Sequence, residues 1–255
     1  MNTVRGDPAF IIPDWPAPTR VCALATTRRG GVSRAPFDSF NLGHHVGDDE
    51  AHVAENRRLL MTRAALREQP CWLEQVHGNT VVRAERVTVP PRADAVFATV
   101  PGMVCAVLTA DCLPVLFCDR EASVVAAAHA GWRGLAAGVL DATVRALGKS
   151  PARLLAWLGP AIGRDAYEVG PDVRDAFVGS DPLAAAAFRP AGAAGKWFCD
   201  LYALARLKLA ELGVLDVYGG DFCTFTERER FFSFRRDGRT GRQATLIWLA
   251  DSSGP

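Results

Sequence analysis

The chain has 255 residues, 49% hydrophobic and 22% charged, a balance that excludes a disordered or fibrous protein and leaves room for a sizeable core in one compact domain spanning residues 1–255. Its 29 basic and 28 acidic residues give a formal net charge of +1, so no global field favours nucleic acid or an anionic membrane surface. No stretch approaches the roughly 18 apolar residues that span a bilayer, and the first residues lack a basic segment followed by an apolar run, so a cytoplasmic protein is expected.

The alternation over Val21–Thr26 predicts a strand, and Arg28-Arg29-Gly30-Gly31 a tight turn. Asp48-Asp49-Glu50 suits the first turn of a helix, whose pattern runs to about Leu66. From Cys71 to His129 the chain reads mostly as β, with apolar runs at Trp72–Val76, Thr80–Ala84, Ala95–Thr99, Val104–Leu108, Val115–Cys118 and Val124–Ala128. Pro90, Pro91, Pro101 and Pro114 punctuate these runs. A helix is expected at about Leu135–Leu147, closed by Gly148, then a strand at Leu154–Leu158 and helices near Pro171–Val178 and Asp200–Leu212. Ser180–Gly195, rich in Ala, Gly and Pro, reads as a surface excursion. The last two runs, Phe231–Phe234 and Ala244–Leu249, read as strands of a hairpin with an extended loop through Asp237-Gly238 and Thr240-Gly241. The whole is mixed α and β.

The seven cysteines form an odd set without CxxC pairs, neither a disulfide framework nor a zinc ribbon, so most are expected as small buried apolar residues. Of the five histidines, His77 (QVHGNTV) and His129 (AAAHAGWRG) each follow an apolar run and precede glycine within two residues. Strand ends beside close-turning backbone are where side chains reach a crevice. Cys112 lies in VLTADCLPVLF, at a turn between two apolar runs. A thiolate and two imidazoles make a three-ligand zinc site with an open fourth position, which lowers the pKa of water toward about 7. The separations, 35 residues from His77 to Cys112 and 17 from Cys112 to His129, do not establish convergence. A core cysteine with two strand-end histidines, and a metal-free nucleophile pair of Cys112 with His77 or His129, stay open beside zinc.

Small residues around His129-Ala130-Gly131-Trp132-Arg133-Gly134 suit either a helix cap or an anion site in which Arg133 takes part. The basic turn Arg235 to Arg242 reads as a hairpin tip or a phosphate-reaching loop through Arg235. Thr27–Ser33 and Phe40–Gly43, with Asn41, read as ordered loops for a ligand, or as turns. GxGxxG, GxxxxGK[ST], HExxH, GxSxG and the cytidine-deaminase HxE…PCxxC pattern are absent.

In order along nearly the whole chain, TTRRGGVS, FNLGHHVGDD, QVHGNTV, ADAVFAT, LTADCLPVLF, AHAGWRGLAAGV, WLGPAIG, YEVG and FFSFRRDGRTGRQATLIWL resemble the laccase-domain family. That family is also described as multifunctional purine nucleoside phosphorylases and, in bacteria, as polyphenol oxidase or peptidoglycan editing factor. The resemblance implies an α+β fold, a four-layer α/β/β/α sandwich with mixed sheets, and zinc on His77, Cys112 and His129. It implies phosphorolysis of adenosine, inosine, guanosine and methylthioadenosine with inorganic phosphate, and hydrolytic deamination of adenosine. In this reading Asp111 orients a ligand or shuttles a proton, as carboxylates beside a metal often do. Copper is less favoured than zinc, because a multicopper oxidase needs more histidines than five. A cell-wall role on muropeptides and a metal-free Cys/His hydrolase are the alternatives. No heptad or apolar stripe stands out, so a monomer is expected.

Overall fold

The computed structural model describes residue 4 and residues 6–251. In chain order, β1 (Phe10–Ile11) and β2 (Val21–Thr26) precede α1 (Glu50–Arg63). Five strands follow: β3 (Val81–Arg83), β4 (Ala95–Ala98), β5 (Cys105–Thr109), β6 (Leu113–Asp119) and β7 (Val125–Ala130). Next come α2 (Trp132–Ala136), α3 (Val139–Leu147), β8 (Leu154–Leu158), β9 (Glu168–Val169) and α4 (Pro171–Val178). The chain ends with β10 (Phe188–Pro190), β11 (Trp197–Cys199), α5 (Leu201–Glu211), β12 (Asp216–Gly219), α6 (Phe234–Asp237) and β13 (Gln243–Leu249).

Two sheets stack face to face. One is antiparallel, in the order β1-β2-β13-β5; the other is mixed, in the order β12-β8-β6-β7-β4-β3. Strand side chains alternate between faces, and the burial follows that period. Val125 and Ala127 of β7 join Leu116 and Cys118 of β6 and Val107 of β5 in the inter-sheet core. Ala126 and Ala128 face the other way, against Val139, Leu140 and Val144 of α3 and Leu204 and Leu209 of α5. On the outer face of the antiparallel sheet, Leu60 of α1 packs with Leu24 and Leu246. The layers therefore run α/β/β/α, as the resemblance implied. A small antiparallel sheet, β10-β11-β9, lies beside them. Among the described residues no helix is long and apolar enough to cross a membrane.

Four expectations need correction. The helix expected at Leu135–Leu147 is broken at Gly138, whose φ of 83° leaves the helical region, so α2 and α3 are separate. Trp72–Val76 forms only isolated bridges, at Cys71 and Glu74; the Gln75 amide instead bonds the backbone N–H and C=O of Leu108. Ser180–Gly195 is not merely a surface excursion, because Ala184, Ala187 and Phe188 enter the core beside α4 and α5. Phe231–Phe234 is not a strand. The Gln243 side chain takes both backbone groups of Phe232, and Ser233 caps α6 by accepting from the Arg236 N–H.

Candidate metal centre

The connection Ala110-Asp111-Cys112 carries the chain from β5 in one sheet to β6 in the other, so Cys112 sits on the rim where the two sheets meet. Asp111 takes φ 99° to make that crossing, and His77 takes φ 60°. Both are costly conformations for residues with a Cβ, and such residues collect at functional sites. His129, opposite Pro114 in the β6–β7 ladder, shares the face of Val125 and Ala127. Three distant segments thus bring His77, Cys112 and His129 together, with their ligating atoms all within 4.8 Å of one another. Cys112 Sγ lies 3.9 Å from His77 Nε2, and the imidazoles meet edge to face at 4.8 Å between centroids. His77 is exposed, Cys112 half-buried and His129 buried, so the cluster opens to solvent on one side.

Asp94, fully buried at the start of β4, organises this cluster. Its Oδ1 accepts from His129 Nδ1 at 2.8 Å and from the His77 N–H at 2.9 Å, and its Oδ2 from the Gly78 N–H at 2.7 Å. The carboxylate engages His129 Nδ1, so Nε2 is the nitrogen available to the cluster, and it pins the backbone turn that presents His77. Gly131 matters for the same reason. A Cβ there would lie 2.8 Å from Cys112 Sγ and 3.2 Å from His77 Cδ2, so only glycine lets α2 start this close to the cluster. Gly134 packs equally tightly on the Gly78 carbonyl. The AHAGWRG segment therefore serves close packing around the three clustered side chains.

The electrostatics favour a thiolate at Cys112. Burial alone would raise the Cys112 thiol, but the charge and hydrogen bonds of His129 and His77 outweigh it and bring it down to about 6. Burial would lower His129, and the Cys112 thiolate and Asp94 carboxylate raise it instead.

The other candidate residues fall in different places. Asp111 adjoins the cluster, but its Oδ1 accepts from the Thr224 hydroxyl and its Oδ2 from the Arg235 N–H, both at 2.6 Å, so it braces two neighbouring segments. Arg235 donates from its side chain to the Glu168 carbonyl and lies over the Tyr167 ring. Arg133 is exposed on α2, its guanidinium over Trp132. Asn41 is fully buried with every donor and acceptor engaged. Its Nδ2 bonds Gly43 and Asp48, and its Oδ1 accepts from the N–H groups of Gly43 and Arg242.

Arg242 was legible only as the end of the basic turn. It is half-buried and bonds the carbonyls of Thr240 and Gly241 through Nη1; burial lowers its pKa, with the charges of Cys112 and Asp111 acting against that. Asp94 lies inside ADAVFAT, where a lone carboxylate heading an apolar run is the only signal.

Comparison with known proteins gives the chain's family and confirms its fold. The family described as multi-copper polyphenol oxidoreductase laccase matches residues 22–250. A protein of Pseudomonas aeruginosa named purine nucleoside phosphorylase is 58% identical over 243 residues, covering 95% of this chain and 99% of that one. Purine nucleoside phosphorylase YfiH of Escherichia coli is 55% identical over 244 residues, 94% of this chain and 98% of that one. Among solved structures, a Neisseria meningitidis protein described as DUF152 superposes with a TM-score of 0.92 at 53% identity, covering 95% of this chain and 100% of that one. YlmD from Geobacillus stearothermophilus superposes with a TM-score of 0.89 at 33% identity, over 95% of this chain and 97% of that one.

Proposed function

From the chain's membership of the multi-copper polyphenol oxidoreductase laccase family, we propose that it is a zinc-dependent purine nucleoside phosphorylase that also deaminates adenosine. The observation that supports this reading most is the braced cluster itself: two imidazoles and a lowered thiol within 4.8 Å, the buried imidazole held by a carboxylate. One thiolate and two imidazoles form a donor set that catalytic zinc takes, with one position left open. A multicopper oxidase needs more imidazoles than the two gathered here, despite the family's description. Zinc bound to His77, Cys112 and His129 would supply Lewis acidity toward a water or a substrate oxygen.

In phosphorolysis an oxygen of phosphate bonds C1′ of the ribose as the C1′–N9 bond breaks, and the purine leaves with the electron pair. In deamination a water oxygen bonds C6 and ammonia leaves. Both need an anion or a developing negative charge held beside the ligands. Arg242, whose charge is felt with those of Cys112 and Asp111, is the cation for that task, and the Arg235 backbone is tied to the same Asp111. Arg133, exposed on α2, is the outer of the three. Asp111 keeps this wall in place by holding Thr224 and the Arg235 backbone, and Asn41 does so by holding the Arg242 N–H. Substrates are adenosine, inosine, guanosine and methylthioadenosine; the chain works as one domain, as a monomer, in the cytoplasm.

The test is to incubate the purified protein with adenosine, with and without phosphate, and to separate inosine, adenine and ribose 1-phosphate by chromatography. Phosphate-dependent adenine release together with phosphate-independent inosine is expected. No product under either condition would contradict the reading.

A further inference from the structure

Phe234 is out of place for a phenylalanine. The two phenylalanines just before it, Phe231 and Phe232, are fully buried, yet Phe234 is 60% exposed at the first turn of α6. It is also held firmly. Ser233, just before it, accepts from the Arg236 N–H at 3.2 Å, and the Arg235 N–H, just after it, donates to Asp111 at 2.6 Å. Asp111 is the residue next to Cys112, so the ring stands on a segment tied to the rim that carries the ligands. The ring's cationic neighbour is Arg242, its guanidinium carbon 6.0 Å from the ring centroid. An exposed aromatic ring with a half-buried cation over it therefore stands on a segment bonded to Asp111, the neighbour of Cys112. An exposed aromatic ring on a backbone fixed by hydrogen bonds is a feature that binds a nucleobase by stacking.

We propose that Phe234 is the platform on which the purine base of the substrate stacks, with Arg242 beside it toward the sugar and phosphate. The inference rests on the nucleoside reading above and sharpens it. Stacking uses the π-face that all purines share and reads no hydrogen-bonding edge. A site built this way accepts adenosine, inosine and guanosine alike, which is the breadth the proposed function requires.

The experiment is steady-state kinetics with adenosine and inosine at saturating phosphate for wild type, Phe234→Ala, Phe234→Leu and Phe234→Trp, with zinc content and melting temperature measured on each. Loss of one stacking contact raises KM roughly tenfold or more. Phe234→Ala and Phe234→Leu are expected to show that rise for both nucleosides, with kcat changed far less and zinc unchanged. Phe234→Trp, which restores a π-face, is expected to keep the wild-type KM. The leucine variant keeps the apolar bulk, so it separates stacking from packing. Wild-type KM in folded, zinc-loaded Phe234→Ala or Phe234→Leu would overturn the platform while leaving the nucleoside reading intact. A wild-type protein that turns over no purine nucleoside would overturn both.

Discussion

Cys112, in the connection just before β6, and Cys118, near the far end of that strand, flank one stretch of sheet, yet their thiols behave in opposite ways. At the closed end, burial and the neighbouring Asp119 push the Cys118 thiol up to about 12. At the open end, burial acts in the same direction, but the imidazoles of His129 and His77 bring the Cys112 thiol down to about 6. What differs is the set of neighbours, supplied at the rim by the turn at His77, the end of β7 and the buried Asp94. A cysteine in a sheet becomes a ligand only where the fold gathers donors around it.

The sharpest way to break that contrast is His129→Ala. It removes one ligand and leaves the Asp94 carboxylate buried without its imidazole partner. Nucleoside turnover is expected to fall to background, and denaturant unfolding should show a loss of about 1–3 kcal/mol. Next in size is Asp94→Asn, which keeps the shape but not the charge. A metal-buffered titration is expected to show roughly 10- to 100-fold weaker zinc binding; unchanged affinity would remove Asp94 from the centre.

The two thiols can also be compared directly in metal-free protein. Because the Cys112 pKa is lowered, its thiolate is present above about pH 6 and is lost as the pH falls through that value. Alkylation followed by peptide mapping should therefore label Cys112 half-maximally near pH 6 and leave Cys118 unlabelled at neutral pH. The smallest effect belongs to Cys118→Ala, expected to cost about 1 kcal/mol of stability in thermal or denaturant unfolding, with zinc content and turnover as in the wild type.

Much of this molecule is legible in its sequence where structure is local. β2 and β8 follow the expected apolar runs, α4 follows the expected Pro171–Val178, and Asp200 caps α5 through its side chain, while Asp49, expected in the first turn of α1, caps it instead. Local pattern fails where the decisive bonds are distant. β13 is a central strand between β2 and β5, partners far upstream that its own apolar run does not identify. Gln75 and Gln243 replace ladder bonds with side-chain bonds, which a strand propensity cannot anticipate. At the site, His77, Cys112 and His129 stand out by residue type and by the glycines beside the two histidines. Asp94 does not, because one carboxylate before an apolar run looks like any strand start. Its role exists only once His129, 35 positions later, folds back onto it.

The most direct test of the metal centre is to measure metal content by plasma mass spectrometry on purified wild type and Cys112→Ala. One zinc per chain in the wild type and none in the variant is the expected result. A wild-type protein without zinc, or a variant that retains as much of it, would contradict a centre built on His77, Cys112 and His129.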